Sequence, residues 1–194
     1  MFKSKVRKTR ELNDEELVRQ LQQQMDAELF GVLYDRYVER VYQKCMALAG
    51  DRDLAKDLAH DVFLKVFANL SKFDHRSKFG TWLYRVTYNY CLDHLRKDKK
   101  VRKEDLDERV QGEVPDRDAN EEALLSLRAE RLSAVLDAMD ARDKAVLLMK
   151  YQDEMSIQDM CMVLELGESA VKMRMLRARE RAVDTYQQLY GERP

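Results

Sequence analysis

Aromatic and basic side chains alternate between residues 71 and 103, and this mixture suits the binding of unpaired nucleic acid. Aromatic rings stack on exposed bases, while lysine and arginine side chains follow the phosphate backbone. The candidates for contact are Phe73, His75, Arg76, Lys78, Arg85 and Asn89. The alternative is that the rings fill a core, and we expect this for Trp82, Val86 and Tyr90 because they recur every four residues.

A second basic candidate lies near the C-terminus. Residues 168–182 carry five basic and two acidic side chains, which gives +3. Helical periodicity predicts that one face is buried, through Val171, Met175, Ala178 and Ala182. A different face carries Lys172, Met173, Leu176 and Arg177. Arginine and lysine on a helix can reach base edges or neutralise phosphates; the alternative is an ordinary surface helix with a basic outer face.

The net charge of −1 conceals two blocks of opposite sign. Residues 76–103 hold nine basic and two acidic side chains, whereas residues 104–122 hold nine acidic and two basic ones. The basic block favours a polyanionic partner over a merely solvated surface. The acidic block contains Gly112 and Pro115 and lacks apolar periodicity, so it predicts a flexible linker. We place this linker at residues 99–120, between domains at 1–98 and 121–194.

Helices must position these candidates, because only 6 glycines and 2 prolines interrupt the chain. Apolar spacing and capping residues predict helices at 14–24, 26–49, 54–70, 81–97, 121–139, 141–151, 156–165 and 168–189. Ser156 and Asp159 form a variant of the capping box at one of these starts. The last two helices have the separation of a helix-turn-helix. The predicted fold is therefore all-α, with two small helical domains joined by the acidic linker.

Enzymatic readings are poorly supported by the sequence. His60-Asp61 is similar to the dyad of HD-type metal phosphohydrolases, but His75 and His94 do not complete a metal site. We therefore predict no enzyme activity, no catalytic residue, no metal or other cofactor, and no small-molecule substrate. No apolar run approaches the ~18 residues of a membrane span, so we expect no direct membrane insertion. Three isolated cysteines favour a reducing, cytoplasmic setting.

Three stretches give the chain a family resemblance. They are DLAKDLAHDVFLKVFANLSKF (Asp53–Phe73), FGTWLYRVTYNYCLDHLRK (Phe79–Lys97) and SIQDMCMVLELGESAVKMRMLRARERA (Ser156–Ala182). In this order they resemble the bacterial extracytoplasmic-function (ECF) sigma factors, the two-domain subunits that direct RNA polymerase to promoters. In that family the three stretches bind core polymerase, melt the minus-ten element and read the minus-thirty-five element.

The resemblance also implies roles for individual residues. The positions that would dock on the β′ subunit of core polymerase are Asp57, His60, Asp61 and Phe63. The loop Ser71–Lys78 would capture a flipped-out base, Arg85 and Asn89 would touch the non-template strand, and the basic run Arg96–Lys103 would hold phosphates. Bases of the minus-thirty-five element would meet Lys172, Met173, Leu176 and Arg177, with Arg174 and Arg179 on phosphates.

The chain departs from the family pattern at Met139-Asp140, where Leu-Pro is common, at Ser169-Ala170, where Gly-Thr is common, and at Met173. Met173 stands where a serine is usual, so a bulky apolar side chain replaces a small hydrogen-bonding one. A methionine there would contact a thymine methyl group instead, which alters the expected promoter rather than the expected fold.

The implied function is that of an RNA polymerase sigma factor acting in a stress or envelope response. The implied partners are core RNA polymerase (β′ and β subunits), promoter DNA and an anti-sigma factor that could hold the cytoplasmic chain at the membrane. Two alternatives remain open at this point. One is a stand-alone helix-turn-helix regulator, which would bind duplex DNA unaided. The other is a sigma-mimicking adaptor that binds only protein.

Overall fold

A computed structural model describes residues 11–102 and 121–191 of the chain. These residues form eight α-helices and contain no β-strand. The helices are α1 Asp14–Gln23, α2 Ala27–Ala49, α3 Arg52–Asn69, α4 Phe79–Arg102, α5 Glu121–Ala138, α6 Ala141–Leu147, α7 Ile157–Leu164 and α8 Glu168–Tyr190. A 3₁₀ turn at Leu70–Lys72 follows α3, and a π-helical turn at Leu148–Gln152 extends α6. The predicted all-α class is confirmed.

Some predictions concern segments that the structure does not describe. The basic N-terminal ten residues and most of the acidic linker lie outside the described residues, as do the side chains of residues 98–102 in the basic run. The last helix of the N-terminal half differs from its prediction, since α4 begins at Phe79 and continues to Arg102. Residues 99–102, which we assigned to the linker, are therefore helical.

Short polar side chains fix where the helices begin. Asn13 caps α1 reciprocally, because its side chain accepts from the Glu16 N–H at 2.9 Å and Glu16 accepts from the Asn13 N–H at 3.2 Å. At α7 only half of the predicted capping box forms. The Ser156 hydroxyl accepts from the Asp159 N–H at 3.0 Å, but Asp159 binds that hydroxyl rather than the Ser156 backbone. Aspartate is one methylene shorter than glutamate, so it does not reach back.

Apolar faces of α1 to α4 build the core of the N-terminal half. The apolar series of α3 behaves as its spacing predicts, since Leu58, Val62 and Val66 are buried. Beyond α3, the rings of Phe73, Phe79 and Trp82 lie 5.4–5.9 Å apart between centroids and form an aromatic cluster. Trp82 therefore belongs to the core, as predicted. This cluster holds the end of α3 and the start of α4 together.

The helix-turn-helix of the C-terminal half consists of α7 and α8. Val171, Met175 and Ala178 of α8 are buried, as their spacing predicts. The turn between the helices uses Glu165 at φ 53° as its left-handed residue, whereas Gly167 is extended. Glutamate in this conformation costs about 1 kcal/mol.

The two halves also touch each other. Helix α4 packs against α6 and α7, and α2 packs against α6. Buried residues of both halves, such as Val66 and Met160, belong to one continuous apolar cluster. The charge pattern that predicted the linker does not predict this contact between the halves. The contact depends on residues that lie far apart in the sequence.

Candidate nucleic-acid interface

The loop between α3 and α4 is held in place by Gln22 of α1. The Gln22 amide nitrogen donates to the carbonyls of Leu70 at 2.9 Å and Phe73 at 2.8 Å. Its amide oxygen is thereby left to accept from His75 Nε2 at 2.8 Å, which places the imidazole proton on Nε2. Sequence reasoning missed Gln22, because its partners lie 48 to 53 residues away. No local pattern marks such a contact.

The four candidate residues of this loop fall into two groups. Phe73 is only 3% exposed and lies within the aromatic cluster. It therefore supports the loop from the core side, and it cannot stack on a base without leaving the core. His75 is half-buried and adopts a left-handed conformation. Arg76 and Lys78 are exposed, and Arg76 pairs with Asp74 at 3.1 Å. The cations are thus the accessible part of the loop.

Replacing Gln22 with alanine should loosen this loop. The substitution removes three hydrogen bonds and takes the Gln22 donor from the partly buried Phe73 carbonyl, whereas the Leu70 carbonyl keeps its bond from the Phe73 N–H. We therefore expect a loss of about 1–3 kcal/mol in unfolding free energy. Denaturant unfolding measures this loss. The matched control is Gln23→Ala, because Gln23 is the exposed neighbour on the same helix. Equal stability of the two variants would contradict the role given to Gln22.

Helix α4 presents Arg85 and Asn89 on one side, beside the loop. Arg85 forms an ion pair with Glu165 at 2.8 Å. Asn89 is exposed at the edge of a cleft that Arg142 and Arg174 also line. A second cleft, of about 270 Å³, lies between the loop and α7; its walls include Lys72, Arg76, Trp82, Arg85, Met162 and Glu165. Three of the minus-ten candidates, Arg76, Arg85 and Asn89, therefore line clefts that the C-terminal half helps to close.

The outer face of α8 carries the four predicted base-contacting residues side by side. Met173 is 47% and Leu176 is 45% exposed, and Lys172 and Arg177 are exposed as well. Lys172 pairs with Glu168 one turn earlier at 2.5 Å. This pairing raises the pKa of Lys172 and lowers the pKa of Glu168, because the hydrogen bond favours both charged forms. Two apolar and two cationic side chains are thus exposed on the same face of α8, where a single binding partner could contact all four.

Two arginines beside this face, Arg179 and Arg181, contact groups of their own half. The Arg179 guanidinium lies 5.5 Å from the centre of the Tyr151 ring. Arg181 forms an ion pair with the buried carboxylate of Asp143. Arg174 is half-buried and lines a cleft with Arg142 and Arg177. Fixed guanidinium groups of this kind suit contact with phosphates.

The third predicted surface lies on α3. Asp57 and His60 are exposed there. Asp61 is half-buried and accepts from the Tyr90 hydroxyl at 2.6 Å. Phe63 is only 5% exposed and packs on Tyr34, with ring centroids 4.6 Å apart.

The apolar part of this surface comes from residues that sequence reasoning did not select. Leu64 is 56% and Phe67 is 44% exposed on α3. The signal that could have found them is their position beside the buried stripe of Val62 and Val66. Large apolar side chains at the edge of a buried stripe are only partly covered by the neighbouring helices, so they remain partly exposed.

Alkaline pH should weaken the fold through its tyrosines. The hydrogen bond to Asp61 raises the pKa of Tyr90 to about 12, and burial raises the pKa of Tyr88 to about 12, from ordinary values of 10. An unfolded tyrosine ionises near pH 10 while these remain protonated, so their stabilising effect is complete below pH 10 and falls as pH rises to 12. Denaturant midpoints between these pH values should decrease. In Tyr90→Phe the decrease should be shallower; an identical slope would contradict the assignment.

Within the described residues, no group of three or more histidine, cysteine, aspartate or glutamate side chains is arranged to hold a metal ion. None of the helices in that part of the chain is both long enough and apolar enough to cross a membrane.

Comparison with known proteins assigns the chain to a family. The family described as Sigma-70 region 2 matches residues 33–101, and Sigma-70, region 4 matches residues 129–181. The ECF RNA polymerase sigma factor SigW of Bacillus subtilis is 30% identical over 165 residues, which cover 80% of this chain and 87% of SigW. The chain belongs to the ECF sigma factors. It is an RNA polymerase sigma factor that directs promoter-specific transcription initiation.

Solved structures support the fold of this ECF sigma factor. CnrH, in a complex with the cytosolic domain of CnrY, superposes with a TM-score of 0.62 at 22% identity, over 90% of this chain and 97% of CnrH. The sigma factor RpoE of Bartonella quintana, in a complex with the anti-sigma factor NepR, gives a TM-score of 0.59 at 18% identity, over 81% and 96% of the two chains.

The two family matches span the candidate residues of this ECF sigma factor. The region 2 match contains the α3 residues predicted to bind polymerase, the loop and the candidates of α4. The region 4 match contains the helix-turn-helix and all six candidates on α8. Membership in the family favours the sigma-factor interpretation over the stand-alone regulator and the sigma-mimicking adaptor.

Proposed function

We propose that this ECF sigma factor divides initiation among three surfaces. The outer face of α3 binds core RNA polymerase, the loop with α4 opens and holds the minus-ten element, and α8 reads the minus-thirty-five element. The observation that carries the proposal is the outer face of α8, where Lys172, Met173, Leu176 and Arg177 are all exposed. Their helical neighbours Val171 and Met175 are buried, so the exposed face is fixed in orientation.

Binding of core polymerase follows from the chemistry of α3. The Asp57 carboxylate and the His60 ring are exposed beside the uncovered Leu64 and Phe67 side chains. Apolar anchors with a charged neighbour are typical of protein interfaces, where one or two large side chains carry most of the affinity. Asp61 contributes less directly, because Tyr90 already occupies one of its carboxylate oxygens. Phe63 supports this surface from within the core.

Opening of the minus-ten element follows from the loop and α4. Flipping a base out of the stack costs a few kcal/mol, which binding of the extruded base must offset. The cleft beside the loop is lined by the cations of Arg76 and Arg85. Cations along one cleft suit the phosphates of an unpaired strand. No covalent step and no nucleotide hydrolysis by this chain is required.

Reading of the minus-thirty-five element combines two kinds of contact. Lys172 and Arg177 can donate hydrogen bonds to guanine in the major groove, and Met173 and Leu176 can meet thymine methyl groups. Arg174 and Arg179 would contact phosphates and fix the register of the helix.

Control by an anti-sigma factor is part of the proposal. The NepR complex of the RpoE relative provides the precedent for such a partner. We infer that the chain acts in the cytoplasm, where polymerase and DNA are present, and that an anti-sigma factor withholds it until a stress or envelope signal arrives.

The experiment that tests the proposal follows strand separation directly. A promoter fragment carries a fluorescent purine analogue in its minus-ten element, and its emission rises when the base unstacks. The chain with core polymerase should raise the emission, whereas the chain alone or core alone should not. Duplex binding by the chain alone, with no unstacking in the presence of core, would support a stand-alone regulator instead.

A further inference from the structure

Helix α1 holds the loop between α3 and α4 near both of its ends. Near the start of the loop, the Gln22 amide nitrogen donates to two carbonyls, those of Leu70 and Phe73. Just beyond its end, the Glu15 carboxylate accepts from the Phe79 N–H at 3.4 Å, at the first residue of α4. The region 2 match begins at residue 33, so α1 lies outside it. The loop is therefore held by a helix that this match does not include.

Core contacts keep α1 itself in place. Three of its apolar side chains are buried: Leu17, Val18 and Leu21. Its Asp14 carboxylate accepts from the Tyr37 hydroxyl at 2.5 Å and from the Arg36 guanidinium at 2.6 Å. Both of these donors belong to α2. Because apolar and polar contacts together fix α1, Gln22 holds the loop from a rigid position.

The loop depends on this support at His75. The residue has a φ of 58°, a left-handed conformation that residues other than glycine rarely adopt. Backbone in such a conformation persists only where its surroundings fix it. Two contacts fix the His75 ring: its Nε2 donates to the Gln22 amide oxygen at 2.8 Å, and its centroid lies 4.6 Å from that of the Phe73 ring. Loss of Gln22 would leave only the ring contact to oppose relaxation of the backbone.

The exposed cations of the loop follow this fixed residue directly. Arg76 and Lys78 are exposed, and both are among the residues predicted to contact the minus-ten element. A loop that already has its binding conformation loses less of its binding free energy to ordering. More of that free energy is then left to offset extrusion of a base from the stack.

We propose that Gln22 is a positioning residue for promoter opening, which holds His75 in its left-handed conformation and so keeps the loop in shape for the extruded base. Glu15 assists it at the start of α4. Neither residue touches DNA in this role, and the role rests on the proposed minus-ten function of the loop. Polymerase binding and minus-thirty-five recognition do not depend on Gln22, because those surfaces lie on α3 and α8.

Opening kinetics of Gln22→Ala test this role. A promoter mapped with the holoenzyme carries the fluorescent purine analogue in its minus-ten element. Stopped-flow traces at increasing holoenzyme concentration separate the half-saturating concentration from the maximal opening rate. Because the observed rate scales with the fraction of chains whose loop is in the competent conformation, the maximal rate should fall by about tenfold, with an unchanged half-saturating concentration. Gln23→Ala, the exposed neighbour, should open the promoter like the wild type. A wild-type maximal rate for Gln22→Ala would overturn the proposal.

A premelted promoter separates positioning from misfolding. Mismatched bases in the minus-ten element remove the cost of strand separation, so Gln22→Ala should transcribe this template as well as the wild type does. A chain that is misfolded or that fails to bind core polymerase would transcribe both templates poorly. Equal defects on the two templates would therefore overturn the positioning role.

Two further measurements keep the test valid if Gln22→Ala is unstable. Glu15→Ala removes only the acceptor of the Phe79 N–H, and it should also lower the maximal opening rate. Hydrogen exchange in either folded variant should become faster at residues 73–82 and stay unchanged in the rest of the described chain. Wild-type exchange at these residues, together with wild-type opening by Glu15→Ala, would overturn the proposal.

A variant of the loop itself reports separately on the proposed minus-ten function. Arg76→Ala combined with Lys78→Ala removes both exposed cations and leaves Gln22 in place. If this double variant opens the promoter as fast as the wild type, the minus-ten function of the loop fails. If it opens the promoter slowly while Gln22→Ala opens it normally, only the positioning role fails.

Discussion

Replacing Lys172 and Arg177 together with glutamate should abolish promoter-specific transcription. Each side chain is exposed on the outer face of α8, and each good contact to a base contributes about 1–3 kcal/mol of discrimination. Loss of both contacts predicts a decrease of about 100-fold or more, and the introduced carboxylates add repulsion from the phosphates. Run-off transcription with saturating core polymerase measures the decrease.

Two controls separate this effect from misfolding and from loss of polymerase binding. Arg128→Glu reverses an exposed charge on α5 of the same half, outside the set of predicted base-contacting residues. It should leave the transcript yield close to that of the wild type. The double variant should still bind core polymerase with unchanged affinity. If it transcribes normally, Lys172 and Arg177 do not read the promoter, and the role given to the outer face of α8 is contradicted.

Asp57→Lys combined with Leu64→Ala should prevent assembly with core polymerase. The first substitution reverses an exposed charge of α3, and the second truncates a side chain that is 56% exposed. Loss of a charged contact at an interface costs about 2–5 kcal/mol, and truncation of an apolar anchor adds to this, so core affinity should fall by about 100-fold or more. Fluorescence anisotropy of the labelled chain, titrated with core polymerase, measures this affinity.

The matched control for this variant is Asp184→Lys. Asp184 is an exposed carboxylate of α8 in the other half, so its reversal changes the net charge equally without touching α3. Its affinity for core polymerase should equal that of the wild type. Equal weakening by both reversals would show that net charge, rather than the surface of α3, governs binding.

The sequence predicted the helices well because their signals are local. The cap at Asn13, the apolar series of α3 and the buried series of α8 all depend on residues within a few turns of each other. The exposed face of α8 followed from the same periodicity. Roles on that face did not follow from periodicity, since only the family resemblance distinguished base contacts from an ordinary basic surface.

The remaining features depend on contacts that no local pattern records. Gln22 holds a loop near residue 75, and Asp153 meets Lys44 and Tyr84 of the other half. Such polar side chains look like solvent-exposed residues in the sequence. Phe73 illustrates the reverse problem, because alternation of aromatic and basic residues does not reveal which rings close the core.

The most direct test of the account is reconstituted transcription on sheared genomic DNA of the host, with the purified chain and core bacterial RNA polymerase. We expect discrete start sites that appear only when the chain is present and that share one pair of upstream motifs. Starts that are identical with and without the chain, together with failure of the chain to bind core polymerase, would contradict the assignment of the three surfaces.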